Sequence, residues 1–371
     1  MNPPNAAAET ACFMKDMEAE KERPIAGMEF SRDEIDEAVR TNGLLSVELE
    51  MTRLCNLRCT YCYSEAGRPI PDEFSFEELT GAVRQARALG AKKVAILGGG
   101  EPCCYPQLRE LIACIRDEGM YAELFTNGTL VTGELAAFFY RHEVTVVVKR
   151  NSDVAAVQDA LAGVEGTFNR IEQGMAALMD AGYPDETHGL GIQTIVCRQN
   201  LHRLADLWVW ARERNIHPYF ECMTLQGRAT EHNELYVSPE EARDVFFELS
   251  RIDRERYGRY WTPHPPLAGS SCRRHAYSAF IKANGDVCPC VGVEISLGNL
   301  RETALAGILR DHPVAQELRH AHVRVKGACR TCELGDECYG CRGNAFQMSG
   351  DYLGCDPYCW ISSAAPDAGR E

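Results

Sequence analysis

The sequence lacks any long apolar run, so no membrane-spanning helix is expected. It also lacks a secretory signal: its first forty or so residues are polar and charged after a short alanine run, with no apolar segment among them. Basic residues are in the minority. Lys and Arg number 39 against 54 Asp and Glu, and the net charge of −15 argues against a nucleic-acid backbone as main partner. The 10 histidines form no ligand-like spacing; His320 and His322, beside Arg319 and Arg324, read as a solvated face. Internal repeats and low-complexity tracts are missing too. The apolar content of 45% is nevertheless ordinary for a globular chain, which excludes disorder as the default.

Cysteine is what the sequence has in excess, 18 in 371 residues. Clustered thiols in a chain without an export signal are expected to bind metal rather than to form disulfides. The expectation at this level is a soluble, cytoplasmic metalloprotein with no nucleic-acid or membrane partner. A chain of this length can build one large core and a smaller module beside it.

From residue 45 to 257 short β-branched runs alternate with longer amphipathic ones. LLSVELEMT, KKVAIL, YAELFT, VTVVVK, LGIQTIV and IHPYFECMT read as strands. SFEELTGAVRQARALG reads as a helix, with Ser75 as N-cap, Glu78 three residues on and Gly90 as stop. The last helix opens at Ser238-Pro239-Glu240-Glu241, with a cap, a proline at N1 and a glutamate at N3. Six strand–helix units in a row predict an α/β fold with a parallel sheet, either open and doubly wound or a partial barrel. In both, the ligand sits at the C-terminal ends of the strands. Residues 1–44 read as an N-terminal appendage with one helix at SRDEIDEAVRTNG. After 257, GRYWTPHPPLAGSSC is rich in proline and glycine; 258–360 read as a smaller cysteine-rich module and 361–371 as a tail.

Two stretches in the first module carry chemistry. MTRLCNLRCTYCYSEAG places Cys55, Cys59 and Cys62 at C-x3-C-x2-C spacing directly after the first strand. Three thiolates hold three corners of a [4Fe–4S] cube and leave one iron free, since complete ligation uses four. Zinc held by two of them and a distant partner is the alternative. After the second strand, VAILGGGEPC brings Gly99, Gly100 and Glu101 together. Glycines let a backbone approach a ligand closely, and a carboxylate suits an ammonium group. Cys103, Cys104, Cys197 and Cys222, near other strand ends, read as inert packed thiols.

The cysteine stretch resembles the motif of the radical S-adenosylmethionine (SAM) enzymes, C-x3-C-x-φ-C with an aromatic residue at φ. Cys55, Cys59, Tyr61 and Cys62 match it in full. The resemblance implies a partial (β/α)6 barrel and a [4Fe–4S] cluster whose free iron is chelated by SAM. It also implies reductive cleavage of SAM to a 5′-deoxyadenosyl radical, with the cofactor carrying the difficult chemistry. Gly99-Gly100-Glu101-Pro102 is similar to the family's GGEP segment, which contacts the SAM amino group. Polar residues closing the fourth strand meet the ribose and carboxylate of SAM in the family. That makes Asn151 and Ser152, in KRNS, the candidates here, with Thr194 on the fifth strand and TNGT (126–129) as a weaker rim position.

In the second module Cys272 is followed by 12 residues, Gly285, 4 residues and Cys290. CRTCELGDECYGC then supplies Cys329, Cys332, Cys338 and Cys341, and Cys355 and Cys359 follow. The central block alone fits a zinc site, but these cysteines together exceed what one zinc uses. The arrangement resembles the SPASM extension of radical SAM enzymes, which houses one or two auxiliary [4Fe–4S] clusters. It departs from that pattern in one spacing, two residues before Cys341 instead of three. The resemblance implies one cluster on Cys272, Cys290 and Cys341 and another on Cys329, Cys332, Cys338 and Cys355. The first is then one thiolate short: Cys288, in VCPC, completes it, or the site is open to substrate. Cys359 is a spare that can replace Cys355.

The expected function is a radical SAM oxidoreductase abstracting hydrogen from an unactivated C–H bond. A peptide or protein side chain is the first substrate class, and a small-molecule biosynthetic intermediate the second. A non-enzymatic iron–sulfur or zinc scaffold or sensor is the alternative of another class; an open-site loop paired with GGEP speaks against it. The expected partners are an electron donor such as a flavodoxin or ferredoxin and a separate leader-binding protein, because 44 residues are too few for the fused leader-binding unit of peptide maturases.

Overall fold

The computed structural model describes residues 30–335 and 337–363; the rest of the expected appendage and most of the expected tail lie outside them. Six strands carry the first module: β1 (Ser46–Leu49), β2 (Lys93–Ile96), β3 (Tyr121–Thr126), β4 (Thr145–Lys149), β5 (Leu190–Val196) and β6 (His217–Cys222). Each pairs in parallel with the one before it. The order β1 to β6 runs without reversal. A doubly wound sheet reverses at a switch point, so this sequential order selects the partial (β/α)6 barrel.

Helix α1 (Arg32–Thr41) precedes β1. The crossovers are α2 (Phe76–Ala88), α3 (Leu108–Asp117), α4 (Gly133–Arg141), α5 (Ala155–Ala162), α6 (Thr167–Ala181) and α7 (Leu204–Arg212), and α8 (Pro239–Tyr257) follows β6. Capping boxes at Ser31–Glu34, Ser75–Glu78 and Ser238–Glu241 start α1, α2 and α8, each serine accepting from the glutamate N–H while the carboxylate reaches back. Between β4 and β5 the sequence pattern shows one helix, whereas the chain forms two. The break falls at Gly163, in the left-handed region at φ +67, where a Cβ would overlap the Arg58 carbonyl. The end of α5 is packed onto the cysteine loop there: Arg58 and Thr60 donate their N–H groups to Ala162 and Leu161 carbonyls, both at 3.0 Å.

Strand residues alternate between two environments. Val47, Leu49, Val94, Ile96, Ala122, Leu124, Val146, Val148 and Ile192 join the main core beneath the helices. The positions between them, Glu48, Lys93, Glu123, Lys149 and Gln193 among others, face a cavity on the concave side.

The second module is not a separate body hung on a linker. β7 (Phe280–Ile281) pairs in parallel with β1, and β8 (Asp286–Cys288) and β9 (Gly298–Asn299) continue antiparallel, giving one nine-stranded sheet. Strands of two and three residues are too short to show periodicity, which is why the sequence pattern appears to stop at 257. Side chains weld the same seam. Glu50, fully buried, accepts from the Tyr63 hydroxyl at 3.0 Å and the Ala283 N–H at 3.2 Å, and Arg274 pairs with Glu48. A chain cut after Tyr257 would bare the β1 edge and leave Glu50 without its backbone partner. Residues 45–257 alone are expected to aggregate on size-exclusion chromatography; a monomeric fragment with native helix content would show that the seam is dispensable.

Candidate active site

The cysteine loop leaves β1 and is at once hydrogen-bonded to the glycine turn that leaves β2. Gly100 donates to the Thr52 carbonyl at 2.7 Å and Glu101 to the Leu54 carbonyl at 2.9 Å, so the ladder runs on to the residue before Cys55. Only glycine fits this approach: a Cβ on Gly100 would overlap the Leu54 carbonyl, and Gly99, at φ +71, faces the Glu50 carboxylate. Ser64 Oγ ties the far side, donating to the Gly99 carbonyl and lying 3.4 Å from Cys62 Sγ.

Glu101 is buried and held by three donors: the Thr126 hydroxyl at 2.6 Å, the Asn127 N–H at 2.7 Å and the Cys103 N–H at 3.0 Å. Burial raises its pKa, and those hydrogen bonds oppose the rise. The carboxylate is thus fixed in direction while lining the cavity, ready for a cationic group. TNGT is part of the same frame, since Asn127 and Thr129 share hydrogen bonds with Asn56 of the cysteine loop.

Cys55, Cys59 and Cys62 all line the cavity. Burial pushes the Cys55 thiol up to about 12 and Cys59 to about 11, so they keep their protons until a metal displaces them. From the C-terminal module Cys272, Cys290 and Cys341 line the same cavity, close enough that Cys290 feels the charge of Cys272 and Cys341 that of both; burial raises Cys290 to about 12. Cys288 is not among the residues that line the cavity. It sits on β8, the chain bends at Pro289, and the charges it feels are those of Lys282, Asp286, Glu294 and Glu50. A second group lies behind: Cys329 feels Cys355 and Cys359, and Cys338 feels Cys359 and Cys329. Cys359, expected as a spare, stands inside it, and Cys332 is half-buried at the end of the Gly327–Thr331 turn.

The donor set, Cys55, Cys59 and Cys62 with Cys272, Cys290 and Cys341 on one cavity, has the all-thiol chemistry that iron–sulfur clusters take. A single zinc draws its thiolates to about 2.3 Å from one point. Among the described residues no three Cys, His, Asp or Glu side chains converge in that way. Buried polar atoms without partners include three near the C-terminal thiols: His275 Nε2, which shares the cavity wall with Cys272, and both side-chain polar atoms of Asn344, whose N–H lies 3.4 Å from Cys341 Sγ. Such orphans mark places where a further group is accommodated.

The cavity, about 390 Å³, is walled by the inward positions of all six strands and by the C-terminal module. Its polar lining is largely paired. Lys93 meets Glu123 at 3.0 Å, Arg274 pairs with Glu48, and Lys149 lies 4.0 Å from Glu221, which also accepts from Gln193. Burial lowers the Lys149 pKa, raises that of Glu48 and takes His217 down to about 4.

Asn151, Ser152 and Thr194 are placed differently from the expectation. All three are buried in the wall behind the cavity. Asn151 Oδ1 accepts from the Ile195 N–H, Ser152 Oγ from Val154, and Thr194 Oγ1 donates to the Arg150 carbonyl, while the Asn151 side chain also meets the hydroxyl of Tyr61, a residue of the cavity lining. The strand-end positions that do reach the cavity are Lys149, Gln193 and Glu221, with Tyr61 under the Lys149 ammonium, 5.1 Å from its ring centroid. A signal for them was present in the sequence. Polar residues at every second position of otherwise apolar strands, as in SVEL and HPYFEC, mark a wet inner face. Cys222 also lines the cavity, at the end of β6.

Because Gly100 admits no side chain, Gly100→Ala is expected to push the glycine turn off the cysteine loop. Iron at the Cys55 site and the SAM-dependent change in its electron paramagnetic resonance (EPR) signal should both fall, with auxiliary iron retained. Wild-type iron content and signal would show that the approach is not required.

Comparison with known proteins agrees with this geometry. Residues 49–206 match the Radical SAM superfamily, and residues 272–333 match SPASM, an iron–sulfur cluster-binding domain. The AdoMet-dependent heme synthase of Methanosarcina barkeri is 29% identical, over 86% of this chain and 97% of that protein. The PqqA peptide cyclase of Xanthomonas euvesicatoria pv. vesicatoria is 28% identical, over 85% of this chain and 87% of that one. Among solved structures, Streptococcus suis SuiB bound to S-adenosylmethionine superposes with a TM-score of 0.68 at 19% identity, covering 95% of this chain and 89% of SuiB. The two matched domains bring a SAM-bound [4Fe–4S] cluster and auxiliary iron–sulfur clusters as cofactors. The chain is an enzyme with a radical SAM domain and a C-terminal SPASM module.

Proposed function

We propose that this radical SAM enzyme modifies a peptide or protein side chain, removing hydrogen from an unactivated C–H bond in the cavity between its two sets of thiols. Bound at Cys55, Cys59 and Cys62, a [4Fe–4S] cluster with SAM supplies the 5′-deoxyadenosyl radical. The chain supplies placement. Glu101, aimed by Thr126, Asn127 and Cys103, takes the ammonium of SAM, and the glycines before it let the backbone lie against the ligand. Cys272, Cys290 and Cys341 face the same space, so a cluster held there is next to the substrate when its remaining electron must leave.

The charge balance of the cavity carries the peptide reading. Three of its lining cations are paired, Lys93, Arg274 and Lys149 with carboxylates, while Arg342 bonds the carbonyls of Gly340, Tyr352 and Gly354 and keeps a buried Nη2 without a partner. A neutral side chain with its flanking amides meets paired charges and dipoles, and loses no ionic partner on entering. The likeness to a peptide cyclase agrees with this. A second reading, oxidation of a small-molecule intermediate, is favoured by the higher identity to a heme synthase. Haem-type macrocycles carry several carboxylates that call for unpaired cations, and among the described residues of the lining Lys93, Arg274 and Lys149 are already paired, which leaves Arg342. The electron enters from a flavodoxin- or ferredoxin-like donor, and a separate protein presents the peptide's leader.

Anaerobic reconstitution tests the assignment. Three cubane clusters predict about 12 iron per chain, falling to about 8 in a Cys55/Cys59/Cys62→Ala variant. With dithionite and SAM the wild type is expected to release 5′-deoxyadenosine and the variant none. Short peptides encoded beside the gene and a carboxylated tetrapyrrole are then compared in deuterated form. Deuterium in 5′-deoxyadenosine from a peptide upholds the reading; deuterium from the tetrapyrrole alone replaces it with the second.

A further inference from the structure

The segment after β6, Gln226-Gly227-Arg228, bonds to the backbone of the loops that carry both sets of cavity thiols. The Arg228 guanidinium donates from Nε to the Cys59 carbonyl at 2.9 Å, and from Nη1 and Nη2 to the Ala66 carbonyl at 3.1 and 3.0 Å. Its own N–H donates to the Cys62 carbonyl at 3.0 Å. Gly227, at φ +55, packs so tightly that a Cβ would overlap the carbonyls of Cys62 and Tyr63. On the other side Gln226, 2% exposed, donates from Nε2 to the Val291 carbonyl at 3.0 Å, next to Cys290.

Arg228 therefore closes the cysteine loop like a clasp. It grips both ends of residues 59–66, and it comes from 169 positions away, so the loop's shape is set by the far side of the barrel. Other arginines serve neighbouring carbonyls: Arg58 those of Cys55 and Leu57, and Arg53 that of Ser64. Arg228 is the one that bonds directly to the Cys59–Cys62 stretch and also belongs to the segment joined to the auxiliary side. Three thiolates gather negative charge at this loop, and each electron added to a cluster there increases it. A fixed cation alongside favours the reduced form, and outer partners of metal ligands typically change affinity or activity by about 10–100-fold.

We propose that Arg228 is a positioning residue: it sets the spacing of Cys59 and Cys62 for the cluster and SAM, and it makes that cluster easier to reduce. This rests on the radical SAM reading but not on the substrate, because every readout below is taken without one.

Arg228→Gln and Arg228→Lys, reconstituted anaerobically, are compared with the wild type. Iron content, the EPR-monitored midpoint potential of the Cys55 site and SAM binding by its EPR change are measured. Arg228→Gln is expected to show a more negative midpoint and about tenfold weaker SAM binding. Arg228→Lys keeps the charge but cannot grip two carbonyls, so its midpoint should return toward the wild type while SAM binding stays weak. Wild-type midpoint and SAM binding in Arg228→Gln would overturn the proposal. If Arg228→Gln loses iron from this site, recovery in Arg228→Lys upholds it, and so does loss in both with auxiliary iron retained. Loss of all iron in both marks a general folding role and overturns it.

Discussion

Two backbone hydrogen bonds, from Gly100 to Thr52 and from Glu101 to Leu54, hold the site in register. They extend the β1–β2 ladder beyond the strands, so the thiol loop and the glycine turn move as one piece of sheet. The pairing admits no side chain at Gly100, and it delivers the Glu101 carboxylate to donors from β3 and its following turn. Other close approaches lock the same loop from outside. Gly163 ends α5 against Arg58, and Gly227 lies on the carbonyls of Cys62 and Tyr63. A loop that must present three thiols at a defined spacing is thus braced by backbone from three separate parts of the barrel.

Much of this was legible in the sequence because local rules govern it. Cap residues gave the starts of α1, α2 and α8, and alternation gave six strands of a parallel sheet, while their order came from the fold. The thiols of the first loop and GGEP were legible for a different reason: their chemistry depends on spacing along a short segment. What escaped depends on register between distant segments. Asn151 and Ser152 follow β4 and are buried, and Lys149 at the end of the strand is the residue that lines the cavity, with Asn151 behind it against Tyr61. Cys288 and Cys290 differ by two positions, which within a regular strand would place them on one face; the bend at Pro289 separates them. β7 has two residues and no periodicity to read, so the joining of the second module to β1 became visible only in the fold.

The inner wall shows a second compromise. Buried carboxylates and cations in a barrel are costly unless each has a partner. Here Glu48, Lys93, Glu123 and Arg274 are buried or nearly so and answer one another in sign. Replacing them with apolar residues would fill the barrel and close the cavity, so the paired charges keep an open interior without leaving a bare ion in it. Glu48 also joins the two modules through Arg274, which makes one ion pair serve both the wall and the seam.

The cavity is one room lined by two sets of thiols. Whatever enters from solvent reaches both. Dioxygen that finds the loop of Cys55 also finds Cys272 and Cys290, so damage to one redox centre is not insulated from the other. The same openness leaves any occupant of the cavity as the natural stopper, since it would shelter both sets of thiols while it is bound. Protection from air and the timing of chemistry are then the same event, occupancy of a single space.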